Sequence, residues 1–216
     1  MYFCEVMNHI ARYLFKRLSA PLPGESAQRL MSPGGRIAYP GKWGVPRQSA
    51  VLSLFLPGHD NRWHLVLIKR PDYNGVHSGQ IAFPGGRQEP DDPSLMHTAL
   101  REAAEEIGLH MPVNVLGRLS DIYIPASNYL VAPFVAISEK RQNWIPYAKE
   151  VQQVLEMPID ELLDESKVAS GHFITGFKKE VVSPYFALQE YRIWGATAMM
   201  MSELKCILIE GEKEWR

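Results

Sequence analysis

Residues 83–109, FPGGRQEPDDPSLMHTALREAAEEIGL, constrain the fold of this chain more than any other stretch. Asp92 followed by Pro93 has the form of a helix start, because aspartate can cap a helix and proline is tolerated at the first helical position. Gly108 suits the residue just after the helix, which needs a positive φ. The sequence therefore predicts a helix over residues 93–107, directly after a β-rich run and two glycines.

The predicted helix has two distinct faces. At about 100° per residue, Glu102, Glu105 and Glu106 fall on one arc, with Arg101 at its edge. The other arc holds the apolar residues Met96, Ala99, Leu100, Ala103 and Ile107. A solvated surface helix would explain this pattern, but carboxylates at this spacing repel one another and one arginine does not neutralise three of them. A hard divalent cation, Mg²⁺ or Mn²⁺, would neutralise them directly through carboxylate oxygens.

The two glycines before this helix add to the predicted metal site. Gly85 and Gly86 allow the backbone to turn sharply and to present a carbonyl to the same ion, so Gly86 is a further candidate metal ligand. The β-rich run before them anchors the helix to a sheet, and a rigid site results.

Composition limits the class of protein. A chain of 216 residues with 46% hydrophobic residues can bury one substantial core, which favours a single α/β or α+β domain with appended segments. The net charge of −1 gives no overall attraction to nucleic acid or to an anionic membrane. A polyphosphate-like partner must then be held locally, by a metal or a few arginines.

Cysteine usage and hydropathy favour a soluble protein of the cytoplasm. Cys4 and Cys206 lie far apart and lack CxxC spacing, so a disulfide framework and a zinc cluster are both disfavoured. The N-terminal residues carry charges throughout, unlike a signal peptide. No window approaches the roughly 18 apolar residues of a membrane span.

The N-terminal region is predicted to contain one helix and an irregular segment. Residues 2–18 carry an apolar stripe at helical spacing, so this helix is expected to dock on the domain or on a second subunit, as in a homodimer. Residues 21–48 contain repeated prolines and glycines and are expected to wrap irregularly. We place the domain boundary here, with residues 1–44 as the appended segment and residues 45–216 as the main domain.

The main domain alternates strand and helix patterns. Strands are predicted in residues 49–57, 62–70, 80–86, 113–124, 128–138, 149–158 and 184–194. A short helix is expected to begin near Pro158, and a long amphipathic helix near Ala196. Trp194 and the three methionines that follow it are expected to be packing residues.

The carboxylate segment resembles the signature of Nudix hydrolases, G-x5-E-x7-R-E-U-x-E-E-x-G-U, in which U is a bulky aliphatic residue. The matching residues are Arg101, Glu102, Glu105, Glu106, Gly108 and Leu109. Ala103 stands in for an aliphatic residue. Gly86 and Asp92 keep the G-x5-acid spacing, but aspartate replaces glutamate and eight residues instead of seven separate it from Arg101. In the family, this upstream acid supports the arginine and the loop more than it binds metal.

The resemblance implies an α/β/α sandwich with a mixed sheet. It also implies metal-dependent hydrolysis of a nucleoside diphosphate linked to another group X, in which an activated water attacks a phosphorus atom. Glu102 and Glu106 would be the principal metal ligands, Glu105 a ligand or the general base, and Arg101 would orient the glutamates. Glu150, which precedes a later strand, is a further candidate for metal binding or base catalysis, or else an ordinary exposed loop acid.

A second resemblance points to a substrate. Residues 66–86 are similar to the segment that precedes the signature in the coenzyme A pyrophosphatase branch of the family. The matching residues are Arg70, Gly79, Phe83, Pro84, Gly85 and Gly86. Pro71 departs from the usual serine or alanine, and Gly75 replaces a second arginine that could contact a phosphate. His77 or Lys69 could supply that contact instead.

The implied substrate is coenzyme A or a derivative, cleaved to 3′,5′-ADP and 4′-phosphopantetheine, and Arg70 and His77 are the candidate substrate contacts. ADP-ribose or a dinucleotide is the alternative substrate. A non-hydrolytic nucleotide sensor is the alternative from another class, although a sensor has no need of all three glutamates. Ser78 lacks the G-x-S-x-G elbow of serine hydrolases.

Overall fold

The structure is a computed structural model that describes residues 8–34, 36, 44–60, 62–71 and 79–216. Its helices are α1 (His9–Leu18), α2 (Glu25–Arg29), α3 (Leu95–Ile107), α4 (Ile159–Leu163), α5 (Gly195–Glu210) and α6 (Glu212–Trp215). Its strands are β1 (Arg47–Pro57), β2 (Trp63–Lys69), β3 (Ile81–Ala82), β4 (Gly85–Arg87), β5 (Asn114–Arg118), β6 (Ile122–Ile124), β7 (Tyr129–Ile137), β8 (Gln153–Pro158), β9 (Val168–Ile174), β10 (Glu180–Leu188) and β11 (Tyr191–Trp194).

The main sheet is mixed and has eight strands. Its central order is β3-β2-β1-β7-β5, while β4 pairs with β1, β6 with β7 and β8 with β2. The pairing of β1 with β7 is parallel and the other pairings are antiparallel. Residues 49–56 of β1 are buried, except for the half-buried Val51, because helices cover both faces of the sheet.

The side chains of β1 divide the core into two clusters. Leu52 and Leu54 pack with Ala99 and Ala103 of α3 on one face. Phe55 packs on the other face, with α1 and α5. The predicted α/β/α sandwich with a mixed sheet is therefore confirmed.

The helix α1 docks on its own domain. Asn8 caps it by accepting a hydrogen bond from the Ala11 amide at 3.0 Å, and Ile10 and Leu14 are buried in the core cluster that also contains α5. Residues 2–7 of the predicted helix lie outside the described residues. Because the described part of this apolar face is covered within the chain, that part does not argue for a homodimer.

The segment predicted to be irregular contains the short helix α2. Glu203 of α5 is fully buried, and its carboxylate accepts hydrogen bonds from the Gly24 amide at 3.0 Å and from Gln28 Nε2 at 2.9 Å. Buried carboxylates persist when they are fully hydrogen-bonded. Hydrogen bonds thus hold this segment on α5, and neither the helix α2 nor this contact was predicted from the sequence.

The C-terminal third adds a second sheet with the order β11-β10-β9. The strand β9 was not predicted from the sequence, because its exposed and half-buried residues alternate without a continuous apolar face. The helix α5 is not amphipathic as predicted but buried on most sides; Met199, Met200 and Met201 pack in the core, as expected. None of the helices in the described part of the chain is long and apolar enough to cross a membrane.

Candidate active site

The helix α3 begins later than predicted, and Asp92 does not cap it. Ser94 is the N-cap, and the helix runs from Leu95 to Ile107 before Gly108 turns the chain with φ of 67°. The Asp92 carboxylate instead accepts hydrogen bonds from the Thr98 hydroxyl at 2.9 Å and from Arg101 Nε at 3.0 Å. A charged partner stabilises a nearly buried carboxylate more than a helix end does. The offset residue of the signature therefore has a structural contact with the arginine.

Arg101 connects the carboxylates of this helix. Its guanidinium pairs with Asp92 and with Glu102 at 3.0 Å and with Glu105 at 2.9 Å, and it donates to the carbonyl of Arg87 at 3.1 Å. The hydrogen bonds from Arg101 hold the pKa of Asp92 well below its ordinary value. The side chain is thus fixed in position to orient the acidic residues around it.

Glu106 is almost fully removed from solvent, with an exposed fraction of 2%. The Gly85 amide donates to its carboxylate at 2.7 Å, and Arg70 Nη2 lies 3.9 Å from Oε1. Burial raises the pKa of Glu106 to about 7, although the Gly85 amide and Arg70 act in the opposite direction. Glu106 therefore does not belong to a solvated face.

Glu102 lies against the second glycine. Its exposed fraction is 9%, and a Cβ atom at Gly86 would lie 2.5 Å from both carboxylate oxygens. Burial raises the pKa of Glu102, whereas Arg101 lowers it. Glycine at position 86 thus leaves the space that the Glu102 carboxylate occupies.

Glu150 lies in a loop that precedes β8 and is hydrogen-bonded to the end of α3. The Tyr147 amide donates to the Glu106 carbonyl at 2.9 Å, and the Glu150 amide donates to the Tyr147 carbonyl at 2.9 Å. The negative charge of Glu150 contributes to raising the pKa of both Glu102 and Glu106. The structure thus brings Glu150 within electrostatic reach of the two buried glutamates.

The donor set fits a hydrated divalent cation. Within the part of the chain that the structure describes, no group of three or more His, Cys, Asp or Glu side chains is arranged to hold a metal ion by itself, and Glu105 is exposed and paired with Arg101. Mg²⁺ requires only one or two carboxylates, because it keeps several waters and takes substrate phosphates. Glu102 and Glu106, two desolvated carboxylates with raised pKa values, provide that pair.

A cavity of about 910 Å³ opens beside the two glycines that contact this carboxylate pair. Gly85 and Gly86 form part of its wall, and so does Arg70. The remaining wall includes the aromatic side chains Tyr129, Phe177 and Trp194 and the cations Arg36, Arg87 and Lys179. The size is that of a pocket for a nucleotide-sized ligand. His77 and Gly75 lie outside the described residues.

Several lining residues had no signal in the sequence. Arg36 stands alone in a proline- and glycine-rich segment, and the turn at 175–179 follows the strand that was not predicted. Trp194, expected to be only a packing residue, stacks on Phe173 with ring centroids 4.5 Å apart and also lines the cavity. Such residues line one cavity only because the fold brings distant segments of the chain together, and no local sequence pattern records this.

A family model described as the NUDIX domain matches residues 46–177. The chain belongs to the NUDIX family. The matched region includes the glycine pair, α3 and Glu150. The helices α1 and α5 lie outside the match.

Relatives in this family share about a third of their residues with the chain. It is 33% identical over 149 residues to a protein of Homo sapiens named mitochondrial coenzyme A diphosphatase NUDT8, a match that covers 68% of this chain and 63% of that protein. It is 36% identical over 144 residues to NudL of Yersinia pestis (strain Pestoides F), named an uncharacterized Nudix hydrolase, covering 65% and 70%. The chain thus spans less than two thirds of the human protein's length.

The NUDIX fold is also found in a similar solved structure. The crystal structure of RenU, a Nudix hydrolase from M. Smegmatis, aligns with a TM-score of 0.50 and 14% identity, covering 83% of this chain and 94% of that chain. At this identity the similarity concerns the fold alone.

Without metal, the NUDIX domain is expected to lose stability as pH rises from about 4.5 towards 7. The pKa of Glu106 is raised from 4.5 to about 7 in the fold. Between these values the folded chain keeps a proton that the unfolded chain has released, so stability is highest below the unfolded pKa and falls through the folded one. The total decrease in the free energy of unfolding is on the order of 3 kcal/mol.

Thermal unfolding in a chelator from about pH 5 to about pH 8 would measure this loss. Glu106→Gln has no titrating group at this position, so its midpoint is expected to change less over the same range. Parallel pH curves for the two proteins would contradict the assignment of the shift to Glu106.

Proposed function

We propose that the chain hydrolyses the pyrophosphate bond of a nucleoside diphosphate linked to another group, with coenzyme A or a derivative as the best substrate. One observation carries the proposal: the cavity is bounded by Gly85 and Gly86, the residues that contact the buried carboxylates of Glu106 and Glu102. A nucleotide in the cavity can therefore present its pyrophosphate to the carboxylate pair.

In this proposal, Glu102 and Glu106 hold a divalent cation, with the Gly86 carbonyl as a further ligand. When bound, the cation neutralises the non-bridging phosphate oxygens and makes a water molecule more acidic. Arg101 keeps the Glu102 carboxylate in position, and Arg70 lies on the cavity wall where it can contact a substrate phosphate.

The proton of the attacking water goes to a carboxylate of the chain. Glu150 and Glu105 are the two candidates for this base. The charge of Glu150 acts on both buried glutamates, whereas Glu105 is paired with Arg101. The water oxygen adds to one phosphorus, and the bond from that phosphorus to the bridging oxygen breaks, so that each product carries one phosphate of the former pyrophosphate as a phosphomonoester.

Coenzyme A is favoured by its size and by the relatives. Its adenosine and pantetheine parts need a long cavity on both sides of the pyrophosphate, and the cavity here has about 910 Å³. The human relative is named a coenzyme A diphosphatase. The products would be 3′,5′-ADP and 4′-phosphopantetheine.

A substrate panel tests the proposal. Coenzyme A, acetyl-coenzyme A, ADP-ribose, NADH and dinucleoside polyphosphates would be incubated with the protein and Mg²⁺ or Mn²⁺, and the products separated by chromatography. Coenzyme A is expected to give the highest kcat/KM. If ADP-ribose or a dinucleotide is hydrolysed and coenzyme A is not, that nucleotide replaces coenzyme A as the proposed substrate. Binding of a nucleotide without any hydrolysis would favour the nucleotide sensor.

Other assignments from the sequence stay predictions at this point. These are Mg²⁺ or Mn²⁺ as the particular cation, the domain boundary between residues 44 and 45, a homodimer and a cytoplasmic location. The human relative is named as mitochondrial, so fractionation of cells that express the chain would check the location.

A further inference from the structure

Arg36 places a positive charge in the cavity wall. Its guanidinium donates to the Tyr123 carbonyl at 2.5 Å and contacts the sulfur of Met199. Among the described residues, no carboxylate forms an ion pair with it. Burial lowers the pKa of Arg36 to about 10, and no charged neighbour contributes to the shift. The side chain is therefore a desolvated cation without a described counter-ion.

Other partly buried arginines of the chain are paired with a carboxylate. Arg17 pairs with Glu210 at 2.7 Å, and Arg101 has the partners described above. Arg141 pairs with Glu156 at 2.5 Å. Taking a charge out of water without a partner is costly. The contrast suggests that the partner of Arg36 is supplied from outside the chain, through the cavity.

Arg36 is also separated from the carboxylate pair. It contacts Met199 of α5, which packs on one face of the main sheet, whereas Glu102 and Glu106 belong to α3 on the opposite face. The hydrogen bonds of Gly24 and Gln28 to Glu203 hold the segment that leads to Arg36 on this side of the sheet. A single pyrophosphate at the carboxylates would therefore not be the partner of Arg36.

We propose that Arg36 binds a second anionic group of the substrate, a phosphomonoester distinct from the pyrophosphate that is cleaved. Arginine suits this role because its planar donors match the oxygens of a phosphate group. The assignment rests on the proposed function, since coenzyme A carries a 3′-phosphate on its ribose whereas ADP-ribose and NADH have no such group. Arg36 would then select substrates with the additional phosphate.

The test compares coenzyme A with the same molecule lacking its 3′-phosphate. Arg36→Gln is expected to raise KM for coenzyme A roughly 10- to 100-fold, the loss of a charged hydrogen-bond pair, with kcat nearly unchanged. KM for the dephosphorylated substrate should stay within about threefold of wild type. Arg29→Gln, which removes an exposed arginine of α2 outside the cavity wall, is the matched control.

Equal changes for both substrates, or no change for either, would overturn the proposal, because a merely structural arginine cannot distinguish them. If Arg36→Gln does not fold, Arg36→Lys permits the same comparison with a point charge in place of the planar donors.

Direct binding separates this inference from the proposed function. Calorimetry of the full chain with 3′,5′-ADP and 5′-AMP requires no hydrolysis. The wild type is expected to bind 3′,5′-ADP at least roughly 10-fold more tightly than 5′-AMP. The Arg36→Gln variant is expected to lose that preference. Equal affinities in the wild type would overturn the role of Arg36 even if coenzyme A is hydrolysed. A preference without hydrolysis would support the site and contradict the enzyme activity.

Discussion

Glu106→Gln is expected to reduce metal-dependent hydrolysis roughly 10³-fold or more, with the largest loss in kcat. Glutamine keeps an oxygen that can accept the hydrogen bond from the Gly85 amide, so the local packing is conserved. It removes the negative charge that would hold the cation. Initial rates with coenzyme A over a range of Mg²⁺ and Mn²⁺ concentrations would measure the loss.

The stability of Glu106→Gln distinguishes a lost ligand from a lost fold. In a chelator, its thermal midpoint is expected at or above that of wild type, because the substitution removes a desolvated carboxylate near Glu102 and Glu150. Added Mg²⁺ should raise the wild-type midpoint by mass action and leave the variant unchanged. Glu89→Gln, at an exposed acid paired with Arg87, is the control. A fully active Glu106→Gln variant would exclude Glu106 as a metal ligand.

Gly86→Ala and Gly85→Ala are expected to fail in different ways although the residues are adjacent. A Cβ at position 86 meets the end of the Glu102 side chain at 2.5 Å. That flexible side chain can move, so the variant should fold normally. The displaced carboxylate should lower kcat roughly 10²-fold, because catalysis is sensitive to small errors of position.

At position 85 the added atom meets the backbone. It would lie 2.6 Å from the Val51 Cα atom and still closer to the Ala50 carbonyl, at a φ of 152° that side chains rarely adopt. The central strand β1 cannot move away cheaply. Gly85→Ala is therefore expected to lower the thermal midpoint in a chelator by much more than Gly86→Ala does.

Circular dichroism melts and initial rates on the two variants would test the contrast. Near-normal activity of Gly86→Ala would mean that the Glu102 position does not matter for the reaction. A Gly86→Ala midpoint as low as that of Gly85→Ala would show that position 86 serves the fold instead.

The sequence predicted elements well where one local pattern covers a whole element. The arc of Glu102, Glu105 and Glu106 depends only on helix geometry, and Gly108 ends the helix as expected. The prediction that Asp92 caps the helix was wrong, because its carboxylate binds Arg101, nine residues along the chain, and does not cap the helix end. The strand β9 was missed because its residues carry no continuous apolar face.

Local spacing in the amino-acid sequence determined that a strand, a glycine pair and an acidic helix follow one another, and with them the family resemblance. Only the tertiary structure decided that Glu102 and Glu106 are buried while Glu105 is exposed. It also decided that the charge of Glu150 acts on the buried pair and that Arg36 lies in the cavity wall. Desolvation and charge proximity depend on which distant segments cover a side chain, and the periodicity of one segment does not contain that information.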